Sequence, residues 1–275
     1  MSPASALEEW RTALESWALP ADFLARAPSS PWALPTDLFV ARAARVLIDP
    51  PKRSAQIALD ALPDGGSVVD VGAGAGAASL ALASRAGEIV AVDQSEDMLA
   101  AFEELASRTG VAHEAVAGTW PDVASGVEAA DVVICNHVLY NVADLEPFAR
   151  ALDEHARRRV VCEITPQHPR AWLNDLWVRL HGIDRPDRPT AEDAHAALRE
   201  LGLDVHREDF TAPPADEGLS REEALARVRT FLATGPERDA ELLEALGDRL
   251  RPLGGGWTAG PLEHRLVTLW WDAQR

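Results

Sequence analysis

A doubly wound, mostly parallel α/β sheet is the fold class predicted for residues 67–165, and three observations predict it. Short, apolar, β-branched runs recur along the stretch. Helical stretches separate them, and parallel strands need such crossovers. The runs are nearly continuous rather than alternating, as strands covered on both faces are.

Before the sheet, residues 1–60 read as a helical cap segment. Leu7, Trp10, Leu14 and Trp17 recur at three- and four-residue steps, which makes one apolar helix face. Pro20, Pro28, Pro31 and Pro35 then break the chain. A second helix is predicted over Asp37–Leu47, stopped by Pro50-Pro51, and a third over Ser54–Leu62.

After Pro63-Asp64-Gly65-Gly66 the strand runs are Ser67–Val71, Ile89–Val92, Ala115–Ala117, Asp131–Cys135 and Val160–Ile164. The helices between them are predicted over Ala77–Ser84, Ser95–Ser107 and Asp144–Ala156. Helical insertions follow near 169–202 and 219–252. The first carries the apolar stripe Trp172, Leu173, Leu176, Trp177 and Leu180. It continues in a helix capped by Thr190, with Glu192 and Asp193 at the positive end and Gly202 as the stop. Leu203–Phe210 reads as a strand. Ser220 with Glu223 is a capping box opening a helix to about Ala233, and Pro236–Leu250 reads as another helix. Arg265–Trp271 is the final strand, and 212–215 and Gly254-Gly255-Gly256 are loops. Residues 61–275 are thus expected to form one domain, with 1–60 added to it.

Composition narrows the function classes. Hydrophobic residues make up 47% and charged residues 25%, enough for a sizeable core. The 26 basic and 44 acidic residues leave a net charge of −18. A nucleic-acid binder needs a cationic face to displace counterions, and this chain offers none. Its longest basic run, Arg157-Arg158-Arg159, precedes an apolar run and reads as the solvated start of a strand. Two cysteines, Cys135 and Cys162, make neither a disulfide framework nor a CxxC metal site. There is no signal-peptide pattern and no apolar run near the about 18 residues of a membrane span. The expectation is a cytoplasmic protein with no nucleic-acid or membrane partner; the sequence leaves the oligomeric state open.

The strongest chemical signal is Val69-Asp70-Val71-Gly72-Ala73-Gly74-Ala75-Gly76, a strand running into glycines that are expected to open a helix. Glycine permits positive φ and lets a ligand approach the backbone. A helix opening there would add unpaired N–H groups and a positive dipole end. Asp93 ends the next strand, where a carboxylate can accept hydrogen bonds from both ribose hydroxyls of a nucleoside. The turn alone does not choose a cofactor, because Gly72-Ala73-Gly74-Ala75-Gly76-Ala77 also satisfies the dinucleotide pattern and Asp93 suits NAD.

The wider context separates the two. Asp70 lies inside the strand, Val92-Asp93-Gln94-Ser95-Glu96-Asp97-Met98-Leu99 follows the second strand, Gly118-Thr119-Trp120-Pro121 the third, and Asn136-His137-Val138-Leu139-Tyr140 the fourth. Over roughly residues 63–165 the chain resembles the class I S-adenosylmethionine-dependent methyltransferases. The resemblance implies a Rossmann-like seven-stranded sheet with the last strand antiparallel and the cofactor across its C-terminal strand ends. It implies S-adenosylmethionine as cofactor. Gly72, Ala73, Gly74 and Gly76 would face the methionine moiety, and Asp70 would orient the glycine loop or bind the amino group through water. Asp93 would take the ribose hydroxyls, and Gln94 and Met98 would flank ribose and adenine. Asn136 and His137 would face the amino-acid moiety and the methyl group. The family often has an acid after the third strand to hold the adenine amino group. Here Thr119 stands in that region, and Trp120 either packs on the adenine or belongs to the core. Cys135 and Cys162 would end neighbouring strands as buried thiols.

Methyl transfer from a sulfonium is a direct displacement, so the protein chiefly aligns the reactants and excludes water. A base is needed only where the acceptor must lose a proton. His137 is the candidate base, or else it bonds the cofactor or caps the loop. Tyr140, Glu163, His168 and Trp172 are the candidate acceptor-pocket residues, with packing as the other reading of Tyr140 and a solvated or capping role as the other reading of His168. Cys162, Glu163 and His168 lack zinc spacing, so no metal is expected. Tryptophans outside the strands, including Trp10, Trp17, Trp32 and Trp257, either glue the caps to the sheet or line an aromatic pocket. The acidic charge favours a neutral or cationic small-molecule acceptor. The expected activity is methyl transfer to oxygen or nitrogen of a small molecule. An NAD(P)-dependent oxidoreductase and a non-catalytic S-adenosylmethionine-binding protein are the alternatives.

Overall fold

Ser5 starts the first helix: its hydroxyl accepts the Glu8 N–H at 3.1 Å, which satisfies one of the donors that a helix N-terminus leaves unpaired. In this computed structural model, which describes residues 4–32, 36–212, 218–261 and 263–274, that helix is α1 (Ala6–Glu15). Trp10 is buried on its apolar side. Trp17 lies past the helix end and is also buried. α2 (Ala21–Leu24), α3 (Thr36–Val46) and α4 (Arg53–Ala61) complete the N-terminal segment.

The alternating region follows as β1 (Gly66–Val71), β2 (Ala86–Asp93), α5 (Glu96–Ser107), β3 (Ala112–Ala117), β4 (Ala130–Asn136), α6 (Leu145–His155) and β5 (Ala156–Ile164). Then come α7 (Asn174–His181), α8 (Ala191–Glu200), β6 (His206–Ala212), α9 (Arg221–Phe231), α10 (Asp239–Leu246), β7 (Leu250–Leu253), β8 (Gly256–Ala259) and β9 (His264–Asp272). Seven strands form one sheet in the order β3-β2-β1-β4-β5-β9-β6. β1 to β5 pair in parallel, and β9 runs antiparallel to both β5 and β6. This is the Rossmann-like sheet that the resemblance implied, last strand included.

Side chains alternate across the strands, so the sheet feeds two cores. Val69, Val71 and Val133 face one, with Trp10, Phe148 and Leu152; Val68, Ile89 and Val132 face the other, with Phe102 and Leu105. A third core joins Leu173, Leu176 and Trp177 to Leu225, Val228 and Leu242, with Leu19 reaching in from the N-terminal segment. Cys135 and Cys162 are register partners on adjacent strands, both buried and both free thiols.

The Thr190 cap and the Ser220/Glu223 capping box form as predicted, and Asp193 completes a second box with Thr190. One local expectation fails, and others hold with changed bounds. Ala77–Ser84 is not an α-helix: the chain turns and makes only a short 3-10 turn at Leu80–Leu82. The Ser79 N–H donates to the Asp70 carboxylate, and the bonds that follow close three residues back, Leu82 N–H to the Ser79 carbonyl and Ala83 N–H to the Leu80 carbonyl. Pro236–Leu250 narrows to α10, since Gly247 turns out of it at φ 50°. Gly254-Gly255 is the turn of the β7–β8 hairpin, with Gly254 at φ 57°. Of the loop expected at 212–215, Ala212 ends β6 and the rest lies outside the described residues.

Candidate functional site

The parallel order brings the C-terminal ends of β1, β2 and β4 together. Gly72, Gly74 and Gly76 leave β1 with φ of 70°, 54° and 84°, the left-handed region that side-chain-bearing residues avoid. Gly72 is also crowded: a Cβ there would stand 2.4 Å from Val138 Cγ2. The loop after β4, which carries His137, therefore packs directly on the glycine turn. Above Gly74 the space is different, because a Cβ would meet only Phe39 Cδ1 of α3, at 3.9 Å.

Asp93 ties the turn to β2. Its Oδ2 accepts the Gly74 N–H at 2.8 Å and its Oδ1 accepts the Ser95 N–H at 2.9 Å. Ser95 in turn caps α5. Asp70 lies beneath. Its Oδ2 accepts from Ser79 N at 3.2 Å and Ser79 Oγ at 2.6 Å, while its buried Oδ1 has no partner. Burial pushes this carboxyl up to about 7, against the hydrogen bonds from Ser79. A raised carboxyl contributes stability below its unfolded value, near pH 4, and that contribution is lost as pH rises through 7. Unfolding free energy of the unliganded protein is therefore expected to fall by on the order of 3 kcal/mol between pH 4 and 8. Urea titrations of the wild type and of Asp70→Asn check this; equal slopes in the two would refute it.

At the end of β4, His137 takes φ 62°, a strained conformation for a residue with a Cβ. Its N–H donates to the Glu163 carbonyl at 2.6 Å, and its Nε2 lies 3.0 Å from Glu163 Oε1. Glu163 Oε2 accepts from Ser54 Oγ of α4 at 2.5 Å, and Asn136 Oδ1 accepts the Glu163 N–H at 3.0 Å. Glu163 is 3% exposed while His137 is 44% exposed, so the ring joins a sealed carboxylate to the surface. Burial would raise the Glu163 carboxyl, but the hydrogen bonds from His137 and Ser54 and the nearby positive charge outweigh it and hold it at about 2. His264 stands nearby, its own pKa lowered by burial and by the charges of His137, Lys52 and Arg42.

Comparison with known proteins agrees with this geometry. Residues 69–160 match the family model described as a methyltransferase domain. Over those residues the chain is a methyltransferase domain. An uncharacterised protein of Haemophilus influenzae is 26% identical over 212 residues, 76% of this chain and 77% of that one. Release factor glutamine methyltransferase of Bordetella pertussis is 30% identical over 153 residues, 50% of this chain and 54% of that enzyme. Among solved structures, the YcgJ protein of Bacillus subtilis aligns with TM-score 0.54 at 14% identity, over 81% of this chain and 98% of that one. A structure describing conversion of a disulfide bond into a thioacetal group during echinomycin biosynthesis aligns with TM-score 0.52 at 16% identity, over 89% and 88%. At these identities the two structures speak for the fold.

The cofactor of this methyltransferase is S-adenosylmethionine, and the residues present fit it. The cradle over Gly74 is open to all but a grazing contact. Each Asp93 oxygen uses one lone pair on the protein and keeps another for a ribose hydroxyl. The unpartnered Asp70 Oδ1 leaves a hydrogen-bonding position open under the turn.

Of the other predicted residues, Gln94 after β2 and Thr119 after β3 are exposed, and Met98 is half-buried in the first turn of α5. Trp120 is buried in a sheet core, edge-on to the His155 ring at 4.8 Å, which is the packing role of its two alternatives. Tyr140 and His168 come together, with ring centroids 5.5 Å apart, and Tyr140 donates to the Thr165 carbonyl at 2.8 Å. His168 is buried against Trp17 at 3.6 Å, not solvated. Trp172 packs with the third core. Among the described residues no group of three His, Cys, Asp or Glu could hold a metal ion, and no helix is long and apolar enough to cross a membrane. Ser54 and His264 were absent from the sequence candidates. For Ser54 a signal existed: it shares the buried face of α4 with Ile57 and Ala58, three and four residues on.

Proposed function

We propose that this methyltransferase acts on an oxygen or nitrogen of a small-molecule acceptor, with His137 as the base that takes the acceptor's proton. The observation that carries the reading is the line Ser54–Glu163–His137 beside the glycine turn. Bound there, S-adenosylmethionine supplies a methyl carbon activated by a positive sulfur. Gly72, Ala73, Gly74 and Gly76 allow the backbone to approach its methionine part. Asp93 accepts from the ribose, Gln94 and Met98 flank ribose and adenine, Thr119 borders the adenine, and Asn136 holds Glu163 in place below. His137 gives its Nε2–H to Glu163, so in the neutral ring the lone pair is on Nδ1, free for a proton. When the ring takes that proton, the ionised Glu163 stabilises the imidazolium, and Ser54 keeps Glu163 ionised and oriented.

A small acceptor is favoured by the net charge of −18, which repels nucleic acid, and by the aromatic rings gathered beside the strand ends. Binding of S-adenosylhomocysteine is the test of the cofactor roles. Asp93→Ala is expected to weaken it by about 1–3 kcal/mol, the worth of hydrogen bonds to a charged group. Calorimetric titration of wild type and variant measures this, and unchanged affinity would remove Asp93 from the site.

A further inference from the structure

Arginines that are largely covered in this acidic chain are paired with acids: Arg159 with Asp272, Arg207 with Asp209, Arg229 with Asp239, Arg238 with Glu241 and Arg249 with Asp175. Arg251 gives its donors to the Arg249, Gly260 and Pro261 carbonyls instead, and Arg170 and Arg185 are exceptions of another kind. Neither forms an ion pair with an acid among the described residues, although both are covered enough for burial to lower their pKa, Arg170 to about 10. Both remain cations at neutral pH.

Arg170 is held rigidly. Its guanidinium carbon lies 3.9 Å from the Phe231 ring centre and 5.6 Å from that of Trp32, and its Nη1 donates to the Pro31 carbonyl. Its Nε and Nη2 donate to no described group and are not sealed from solvent. Those two donors form the side-on fork that matches the two oxygens of a carboxylate. Arg185 stands over the rings of Trp17 and Trp177 at 5.0 and 5.4 Å, with one donor on the Trp17 carbonyl at 2.5 Å and a buried Nε that has no partner. His168 lies near both charges, and burial first, then Arg170 and Arg185, favour its neutral form. His168 stacks on Trp17 and faces Tyr140 and Trp32 edge-on. Tyr140 follows His137 in the loop after β4 and is bonded through the Thr165 carbonyl to the chain just past β5, the strand that carries Glu163.

An uncompensated charge that is partly desolvated is costly, and a rigid, open fork among aromatic rings lowers the entropy cost of binding an anion. We infer that Arg170, with Arg185 behind it, receives an oxyanion carried by the acceptor, and that the acceptor is a planar or aromatic carboxylic acid whose ring lies against Trp32. This rests on the small-molecule reading above and replaces the neutral or cationic acceptor that net charge alone favours: the local field at Arg170 and Arg185 opposes the global one.

The test uses the full chain saturated with S-adenosylhomocysteine, with benzoate, phenyl phosphate and benzamide as probes followed by ligand-observed NMR titration. Benzoate is expected to bind at least tenfold tighter than benzamide and to weaken with added salt. Phenyl phosphate binding tighter than benzoate would assign the fork to a phosphate instead and overturn the carboxylate class. Arg170→Gln is expected to erase the preference for benzoate over benzamide. Arg170→Lys, which keeps the charge and loses the fork, is expected to retain only part of it. Melting curves verify that each variant is folded, and Arg170→Lys stands alone if Arg170→Gln is not. Equal binding of benzoate and benzamide by wild type, no binding of either, or an unchanged preference in Arg170→Lys would each overturn the inference. Loss of S-adenosylhomocysteine binding with the benzoate preference intact would instead count against the methyltransferase site.

Discussion

His137→Ala is expected to slow methyl transfer by about 10²–10⁴-fold, the usual contribution of a positioned general base, while affinity for S-adenosylhomocysteine stays within a few fold. Transfer of labelled methyl to the first acceptor that a panel of aromatic acids, phenols and amines identifies is the measurement. Equal turnover in the variant would reduce the His137–Glu163 contact to a clasp between two loops. Glu163→Gln tests the same unit without an acceptor. A carboxyl held at about 2 contributes stability above its unfolded value, near pH 4.3, and that contribution is lost as pH falls toward 2. Acid unfolding of the wild type should therefore include a fall of about 2–3 kcal/mol over that window. The fall should be absent in Glu163→Gln. Identical acid profiles would show that the Glu163 carboxylate is not the charge that Ser54 and His137 hold.

Much of this site was legible before the fold was known, and the reason is local. Gly72, Gly74 and Gly76 announce positive φ by residue type, and Asp93 is placed by the strand that precedes it. The five parallel strands were legible for the same reason, since apolar runs and the helices between them are written in consecutive residues. What escaped depends on contacts between distant segments. Ala77–Ser84 is rich in alanine and promises a helix, but its bonds close three residues back, Leu82 to Ser79 and Ala83 to Leu80, while Asp70 holds Ser79 from the strand below. Glu163 was a candidate, yet its two partners come from α4 and from the loop after β4, far apart in the chain. Nothing in the sequence singles out Arg170; what distinguishes it is Phe231 and Trp32 around its guanidinium and no acid beside it among the described residues.

The three glycines of the turn are expected to respond differently, and the difference separates packing from binding. Gly76→Ala would place a Cβ 2.5 Å from Phe102 Cδ2 and 3.2 Å from Leu80 Cγ, at φ 84°. Left-handed strain of about 1–2 kcal/mol and overpacking of about 1–3 kcal/mol together predict a loss of about 2–5 kcal/mol in urea unfolding. Gly110→Ala is the control: it has φ 79° with nothing within 4 Å, so it should lose only the strain. Gly74→Ala should resemble Gly110→Ala in stability, since its Cβ meets only Phe39 at 3.9 Å. Yet that Cβ would enter the space assigned to the cofactor, and affinity for S-adenosylhomocysteine should fall at least about tenfold, or 1.4 kcal/mol. A Gly74→Ala variant that binds as tightly as wild type would mean that the open volume over Gly74 is not where the methionine part lies. The turn would then owe its glycines to Val138 and Phe102 alone, and the proposed roles of Gly74 and Asp93 would fall together, because the two are joined by one hydrogen bond.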